Sequence, residues 1–529
     1  MARNVVSTSH PLAAQAGLRM LWAGGNAVDA ALAAAAAITV VEPVSCGLGG
    51  DAFALVWDGN KLSGLNASGV APAAWNVDYF AARHGRTAEG LACQPAFGWD
   101  TVTVPGVIAG WEALHAKFGS LPFGDLLAPA IEIAERGFAV SPTVARMWAA
   151  AAPAVRAQPG FAETFLPHGR PPRVGELMRM PGHAHTLRLL ARDGARTFYE
   201  GEIAQKIAAF AEETGGALTA ADMSGYQPEW VEPIGRQFAG YTVHEIPPNG
   251  QGIAALMALG IADHAGIGTA AVDSADTQHV LIEAMKLAFA DVYRYVADPR
   301  TMDVTPAQML DDGYLASRAQ LIDPGHATHF GFGMPRAGGT IYLSAADERG
   351  MMVSFIQSNY LGFGSGVVVP DNGIALQNRG RGFSMDPASP NVVAGGKRPF
   401  HTIIPAFVTE QVNGRTAGVL SFGVMGGDMQ PQGHLQTIVR MLQYRQQPQA
   451  ACDAPRWKVN RDFTISLEET MDPALVEGLA ARGHAITEMD DRYLDFGSGQ
   501  FVWRLDHDEP DRGYVAASDS RRDGLAAGY

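Results

Sequence analysis

The sequence has little of what a disulfide-rich or membrane-spanning protein needs. Its 529 residues include only 3 cysteines, Cys46, Cys93 and Cys452, and these are too widely spaced for a disulfide framework or a thiolate metal site. The longest predominantly apolar stretch, residues 30–41, is too short to cross a bilayer. Residues 1–8 resemble no secretory signal. We therefore expect a cytoplasmic protein with reduced thiols and no membrane partner.

Basic residues are in the minority. Lysine and arginine together number 39 against 54 aspartates and glutamates, which gives a net charge of −15. This balance argues against a nucleic-acid partner or an anionic membrane surface. His183 and His185 alternate in the sequence without further ligands nearby, so we expect surface histidines there and no metal site.

The stretch 337–366 predicts a β-hairpin. Residues 341–346 and 351–357 are rich in apolar and β-branched side chains, and Gly350 suits the left-handed position that closes a three-residue loop. If Asp347 pairs with Met351, every cross-strand pair of residue numbers adds up to the same total. Thr340 then lies opposite Ser358, with both side chains on one face and their oxygens about 3 Å apart.

Thr340 follows two glycines, which tolerate backbone angles that other residues avoid. An N-to-O acyl shift at a strained Gly-Thr bond, followed by hydrolysis, would leave Thr340 as a new N-terminus. Its free α-amine, with a reference pKa of about 7.7–8.0, would then accept the proton of its own hydroxyl and create a nucleophile. From the spacing alone, a Gly-Gly-Thr before a strand is usually just a strand entry.

Most of the remaining chain predicts helices and strands in alternating groups. Helical spacing covers 11–24, the stretch from Asn26 to about Val40, 107–118, 123–137, 203–214 and 278–294, and strands are expected at 52–57 and 416–422.

Several separate motifs, in this order, carry a family resemblance. They are Ala14-Gln15-Ala16-Gly17, Gly24-Gly25-Asn26-Ala27-Val28-Asp29, Gly47-Leu48-Gly49-Gly50-Asp51, Val104-Pro105-Gly106, the Gly339-Thr340 step, Lys397-Arg398-Pro399, Gly426-Gly427 and Ala526-Ala527-Gly528-Tyr529. The sequence resembles the γ-glutamyltransferases, which are self-cleaving N-terminal-nucleophile hydrolases.

The resemblance implies an α+β fold, the four-layer αββα sandwich of N-terminal-nucleophile hydrolases. It implies one precursor cut into a large subunit, residues 1–339, and a small subunit, residues 340–529. Thr340 would attack an amide carbonyl, Ser358 would orient its hydroxyl, and Gly426 and Gly427 would hold the oxyanion. The acyl group would pass to water or to an amine, and no metal or organic cofactor is implied.

Several positions that face the substrate differ from the family pattern. Ser68 stands where an Arg binds the α-carboxylate of a γ-glutamyl group, and Gly382 stands where an Asp binds its α-amino group. Tyr360 replaces an Asn, and His401 with Thr402 replaces a pair of serines. Burying a γ-glutamyl group without charged partners is costly, so these replacements put γ-glutamyl specificity in doubt.

Arg379 and Arg381 lie close to Gly382 in the sequence. Either could supply a carboxylate clamp from a new direction, or both could be solvated loop residues. If one faces the nucleophile, the expected substrate is an acyl group that carries a carboxylate and no α-amino group.

Three functions remain open at this stage. One is glutathione-type hydrolysis, and another is hydrolysis of a small amide, as in the oxamate amidohydrolase or cephalosporin acylase branches. The third is a non-catalytic homologue in which Gly339-Thr340 is only a strand entry. The sequence does not indicate an oligomeric state.

Overall fold

The computed structural model describes residues 2–328, 339–488, 496–507, 509 and 512–529. Two antiparallel sheets form the centre of the molecule. The first contains, in spatial order, β20 (Leu525–Gly528), β1 (Val5–Thr8), β9 (Gly339–Ala346), β10 (Met352–Tyr360), β2 (Asp51–Trp57), β3 (Leu62–Ala67) and β6 (Glu229–Val231). The second contains β19 (Tyr514–Ser518), β18 (Ser498–Arg504), β14 (Arg415–Met425), β13 (Ala406–Val412), β8 (Tyr241–Glu245) and β7 (Ile234–Phe238).

The two sheets pack face to face, and helices cover the outer face of each. Apolar side chains from both sheets, among them Phe53, Ile356, Phe407 and Val502, form the layer between them. Packed against the first sheet are α1 (Pro11–Trp22), α2 (Ala27–Val41) and α4 (Val107–Phe118). α5 (Phe123–Arg136) packs on α2, and α8 (Pro181–Asp193) packs on α5. Packed against the second are α12 (Gly252–His264) and α16 (Met429–Ile438), and α13 (Ala275–Tyr295) packs on α12. This is the predicted α+β fold with its four αββα layers.

Smaller elements complete the described chain. The short strands are β4 (Phe138–Ala139), β5 (Leu177–Met178), β11 (Val368–Val369), β12 (Ile374–Ala375), β15 (Trp457–Val459), β16 (Ile465–Leu467) and β17 (Ile486–Glu488). The remaining helices are α3 (Val77–His84), α6 (Pro142–Val155), α7 (Phe161–Phe165), α9 (Thr197–Glu200), α10 (Glu202–Thr214), α11 (Ala220–Ser224), α14 (Pro306–Met309), α15 (Asp312–Ala319), α17 (Pro448–Asp453) and α18 (Pro473–Ala481).

The pair α1 and α2 shows how the sequence sets a helix boundary. Asn26 accepts hydrogen bonds from the backbone N–H groups of Val28 and Asp29, and the Asp29 carboxylate accepts from the N–H of Asn26. This reciprocal capping box satisfies N–H groups that the first turn leaves unpaired. The alanines of α2 are buried along its length, since their small side chains allow neighbouring elements to approach closely.

One expectation about the surface was wrong. His183 is buried on α8, where its Nε2 lies 3.0 Å from Thr39 Oγ1 and its Nδ1 lies 3.3 Å from the carbonyl oxygen of Gly373. Only His185 is exposed. The two residues lie on a helix and not on a strand, so an alternating sequence does not place them on one face.

Candidate active site

The hairpin of β9 and β10 brings Thr340 and Ser358 together. Its register runs from Met352 opposite Ala346 to Gln357 opposite Ile341, as predicted, and Gly350 has a φ of +91°. Beyond Gln357 the register shifts by one residue at a bulge. Thr340 Oγ1 donates to Ser358 Oγ at 3.5 Å. The predicted contact between the two side chains is confirmed, at a distance longer than the expected value of about 3 Å.

A third side chain, Gln430 on the first turn of α16, contacts Thr340. Its Nε2 donates to Thr340 Oγ1 at 3.3 Å, and its Oε1 accepts from the backbone N–H of Ile404 at 2.9 Å. The Ile404 contact fixes the orientation of the amide, because a backbone N–H only donates. Sequence analysis missed Gln430. Its place three residues after Gly427, in the first turn of the following helix, was the available signal.

Gly426 and Gly427 form the turn between β14 and α16. Their φ angles are +121° and +61°, which favour glycine at both positions. The carbonyl oxygen of Gly427 accepts from Gln251 Nε2 at 2.8 Å and from the N–H of Gln430 at 3.2 Å. The turn is therefore held next to the residue that contacts Thr340.

Arg379 is fully buried behind the hairpin. It donates to Thr402 Oγ1 at 2.7 Å and to Ser358 Oγ at 3.5 Å. Its guanidinium carbon lies 4.2 Å from the centre of the Tyr360 ring. Burial lowers the pKa of Arg379 to about 10, so the side chain stays cationic at neutral pH. Arg379 is therefore not a solvated loop residue, which was one of the two alternatives for this side chain.

Arg381 and Tyr360 line a surface pocket of about 320 Å³. Arg381 also donates to the carbonyl oxygen of Pro95 at 3.0 Å. The other lining residues are Gln94, Tyr293, Val296, Gly382, Phe383, Ser384, Ser389, Asn391, Phe400 and Arg461. Of the two arginines in this lining, Arg461 is ion-paired with Asp428 at 2.6 Å, and Arg381 contributes the positive charge that favours an anionic ligand. Tyr360 connects the pocket to Arg379, and through Arg379 to Ser358.

His401 and Thr402 lie in the same region but have different neighbours. Thr402 contacts Arg379, whereas His401 Nε2 lies 3.1 Å from Asp51 Oδ2 and its Nδ1 accepts from the N–H of Ile403 at 3.3 Å. Burial holds the pKa of His401 well below its usual value, so the imidazole is neutral and Nε2 donates to Asp51. Asp51 lies opposite Ser358 on β2.

Ser68 is buried and hydrogen-bonded to two asparagine side chains. It donates to Asn66 Oδ1 at 2.7 Å and accepts from Asn249 Nδ2 at 3.3 Å. Ser68 does not belong to the pocket lining described above. Its contacts hold the chain after β3 in place.

A cluster elsewhere has the side chains of a metal site. His279, Glu283 and His484 lie close enough to hold one ion. However, the Lys286 ammonium donates to Glu283 at 2.8 Å and lies 3.4 Å from His484 Nδ1, so a cation already neutralises the cluster. These side chains stabilise α13 against the loop before β17.

The gamma-glutamyltranspeptidase family model matches residues 13–529. The chain belongs to this family. It is a self-processing amidohydrolase or acyltransferase of the N-terminal-nucleophile type.

Relatives of different activities match along the whole chain. The oxamate amidohydrolase proenzyme of Klebsiella pneumoniae is 36% identical over 98% of this chain and 97% of its own. The glutathione hydrolase proenzyme of Bacillus subtilis is 29% identical over 99% of this chain and 91% of its own. The crystal structure of cephalosporin acylase from Bacillus halodurans superposes with a TM-score of 0.92, at 46% identity, and covers 100% of this chain and 96% of that one.

Within the family, Gly382 has a steric explanation. A Cβ atom at this position would lie 2.3 Å from the carbonyl oxygen of Phe400. No real Cβ atom approaches a backbone oxygen so closely, so this backbone has no room for an aspartate. An α-amino group therefore finds no carboxylate at residue 382.

The described helices include none that is both long enough and apolar enough to cross a membrane.

Proposed function

We propose that this protein hydrolyses a small amide whose acyl group carries a carboxylate and no α-amino group. The observation that carries the proposal is the charge of the site: Arg379 is buried against Ser358, Arg381 lines the adjoining pocket, and Gly382 leaves no room for an acidic side chain. Arginine recognises carboxylates through parallel charge-assisted hydrogen bonds.

Thr340 is the proposed nucleophile, freed by cleavage of the Gly339–Thr340 bond into chains 1–339 and 340–529. Its new α-amine takes the proton from Oγ1, and Oγ1 attacks the amide carbonyl. Ser358 and Gln430 orient Oγ1, as their distances of 3.5 and 3.3 Å support. The N–H groups of Gly426 and Gly427 stabilise the oxyanion, and water then hydrolyses the acyl-enzyme.

Oxamate and glutaryl amides fit this description of the acyl group. The sequence is 36% identical to the oxamate amidohydrolase and 29% identical to the glutathione hydrolase, which supports a substrate of the oxamate type. Glutathione hydrolysis, and with it a role in glutathione metabolism, is the alternative that the family name suggests. An amine in place of water would make the enzyme a transferase.

A cytoplasmic location is also proposed. It is supported by the three cysteines, Cys46, Cys93 and Cys452, all of which are unpaired. Free thiols persist in reducing compartments.

A substrate comparison on the matured protein tests the proposal. γ-Glutamyl anilide, glutathione, oxamate, a glutaryl amide and a neutral acyl anilide are assayed side by side. We expect the acidic acyl donors to be turned over best and γ-glutamyl compounds weakly. Replacing Arg381 with Ala should raise KM for acidic donors by about tenfold, since one charge-assisted hydrogen bond is lost, with little change for the neutral donor.

Arg379→Ala should likewise raise KM for acidic donors. It should also lower kcat, because Arg379 contacts Ser358. Arg415→Ala removes an exposed arginine from β14 and serves as the control. Turnover of glutathione as efficient as that of any other compound would refute the specificity argument.

A further inference from the structure

Asp428 is a buried carboxylate beside the Gly426–Gly427 turn. Arg461 donates to Asp428 Oδ2 through Nε at 2.9 Å and through a terminal nitrogen at 2.6 Å. Asp428 Oδ1 has no hydrogen-bond partner among the residues that the structure describes, and the residue as a whole is only 5% exposed. A buried acceptor without a donor is costly, so an unpaired oxygen at this place points to a ligand.

Gln251 presents a second unpaired acceptor at the same turn. Its Nε2 donates to the carbonyl oxygens of Thr402 at 2.6 Å and Gly427 at 2.8 Å. Two carbonyl partners fix the amide orientation, since a carbonyl oxygen only accepts. Gln251 Oε1 is then left without a donor in the described part of the chain. Asp428 follows Gly427 in the chain and Gln251 donates to the Gly427 carbonyl oxygen, so both unpaired acceptors belong to residues held at this turn, and both require an N–H or O–H group.

We propose that Asp428, with Gln251 beside it, binds the leaving nitrogen of the amide substrate by accepting its N–H groups. The inference rests on the proposed function, because it assigns the other end of the same substrate. The proposal narrows the substrate class to amides that have at least one N–H group. A primary amide has two N–H groups, which match the two acceptors.

The reaction balances without any proton transfer to Asp428. Thr340 Oγ1 forms a bond to the carbonyl carbon, and its proton passes through the α-amine to the leaving nitrogen. The carbon–nitrogen bond breaks, and a primary amide releases ammonia. Asp428 accepts a hydrogen bond from that nitrogen throughout. The nitrogen gains positive charge as it is protonated, so a carboxylate stabilises the departing group more than the bound substrate.

Arg461 is a positioning residue in this scheme. Burial raises the pKa of Asp428 to about 6, against the opposing effect of Arg461, so the carboxylate is charged at neutral pH. Both Arg461 nitrogens donate to Oδ2, which leaves Oδ1 as the acceptor without a partner among the described residues.

Matched amides and esters test the assignment, since an ester offers no N–H to Asp428. The pairs are oxamate with monomethyl oxalate, and glutaric monoamide with monomethyl glutarate. Asp428→Ala should lower kcat/KM for the amides by about tenfold or more, and for the esters by no more than about twofold. Arg461→Gln, which retains Asp428 but loses the contact that orients it, should lower the amide-to-ester ratio by less than Asp428→Ala does.

If Asp428→Ala lowers kcat/KM equally for the amides and the esters, the assignment is overturned. It is also overturned if Arg461→Gln changes the amide-to-ester ratio as much as Asp428→Ala does. If Asp428→Ala fails to mature, Asp428→Ser, which keeps a small polar side chain at the residue before α16, takes its place. A wild-type protein that matures and turns over neither amide refutes the proposed function itself, which is a separate result that needs no variant.

Discussion

Asp51 is a buried carboxylate that lies opposite Ser358 and accepts several hydrogen bonds. Its Oδ1 accepts from the N–H groups of Gly69 at 2.9 Å and Gly106 at 3.0 Å and from Gln377 Nε2 at 2.9 Å. Burial nevertheless raises the pKa of Asp51 to about 7, because the charged form loses its hydration. The positive charge of Arg379 and the hydrogen-bond donors compensate for only part of that loss. Asp51 should therefore make stability depend on pH.

The sign follows from proton binding. In the unfolded chain the carboxyl has its reference pKa of 3.8, whereas in the folded protein its pKa is about 7. Between these values the folded state holds one proton more, so the free energy of unfolding falls as pH rises through that window. The slope reaches at most about 1.4 kcal/mol per pH unit.

Asp51→Asn removes this slope, because the amide does not titrate. We expect the free energy of unfolding of the variant, measured with urea from about pH 5 to about pH 8, to fall less steeply than that of the parent. Both proteins should carry Thr340→Ala, so that each remains a single chain. Burial also raises the pKa of Glu42 to about 7, but Glu42 is common to both proteins and cancels in the difference. If the free energies of unfolding of the two proteins fall in parallel with pH, the pKa of Asp51 is not raised in the folded protein.

At the residue scale, sequence reasoning found the groups that belong to one local segment. Thr340 and Ser358 share a hairpin, and Arg379 lies close behind it, so strand register and proximity along the chain were sufficient. Asp428 and Arg461 were not found. They lie 33 residues apart, on the turn before α16 and on the loop between β15 and β16, and only tertiary packing joins them.

Among the elements, the hairpin was predicted best. The turn at Gly350 and the pairing of Asp347 with Met351 follow from turn chemistry, and the structure has both. The bulge after Gln357 could not be predicted, because no glycine or proline between Gln357 and Tyr360 marks it. Tyr360 adopts a φ of +81° there and reaches Arg379.

Helix caps provide a prediction at this scale. Asn26 caps α2 through two N–H groups and also donates to the carbonyl oxygen of Phe118 at 2.6 Å. Asn26→Ala should lower the free energy of unfolding by about 1–2 kcal/mol, as measured by urea denaturation of the Thr340→Ala chain. Asn76→Ala is the matched control, since Asn76 caps α3 through one N–H at an exposed position. An equal or smaller loss for Asn26 would contradict the role of the buried capping box.

On the scale of the whole molecule, the four layers were predictable through the family resemblance. Helical and strand periodicity indicated the elements, but not which strands share a sheet. The N-terminal strand β1 lies between β20 and β9, so the two ends of the chain meet beside the strand that carries Thr340. Cleavage before Thr340 would leave β9 paired on both sides, with β1 and β10, which explains how two separate chains would hold one fold.

The central claim is that Thr340 becomes the N-terminal nucleophile, and acid-quenched peptide mass mapping tests it most directly. The matured protein is mixed with monomethyl glutarate, quenched, and digested. We predict two chains, with the small one beginning at Thr340, and a glutaryl adduct on that first residue. Thr340→Ala should remain one chain without an adduct, and Thr340→Ser should retain some cleavage and labelling. An active protein that stays full length, or an adduct on any other residue, would contradict the account.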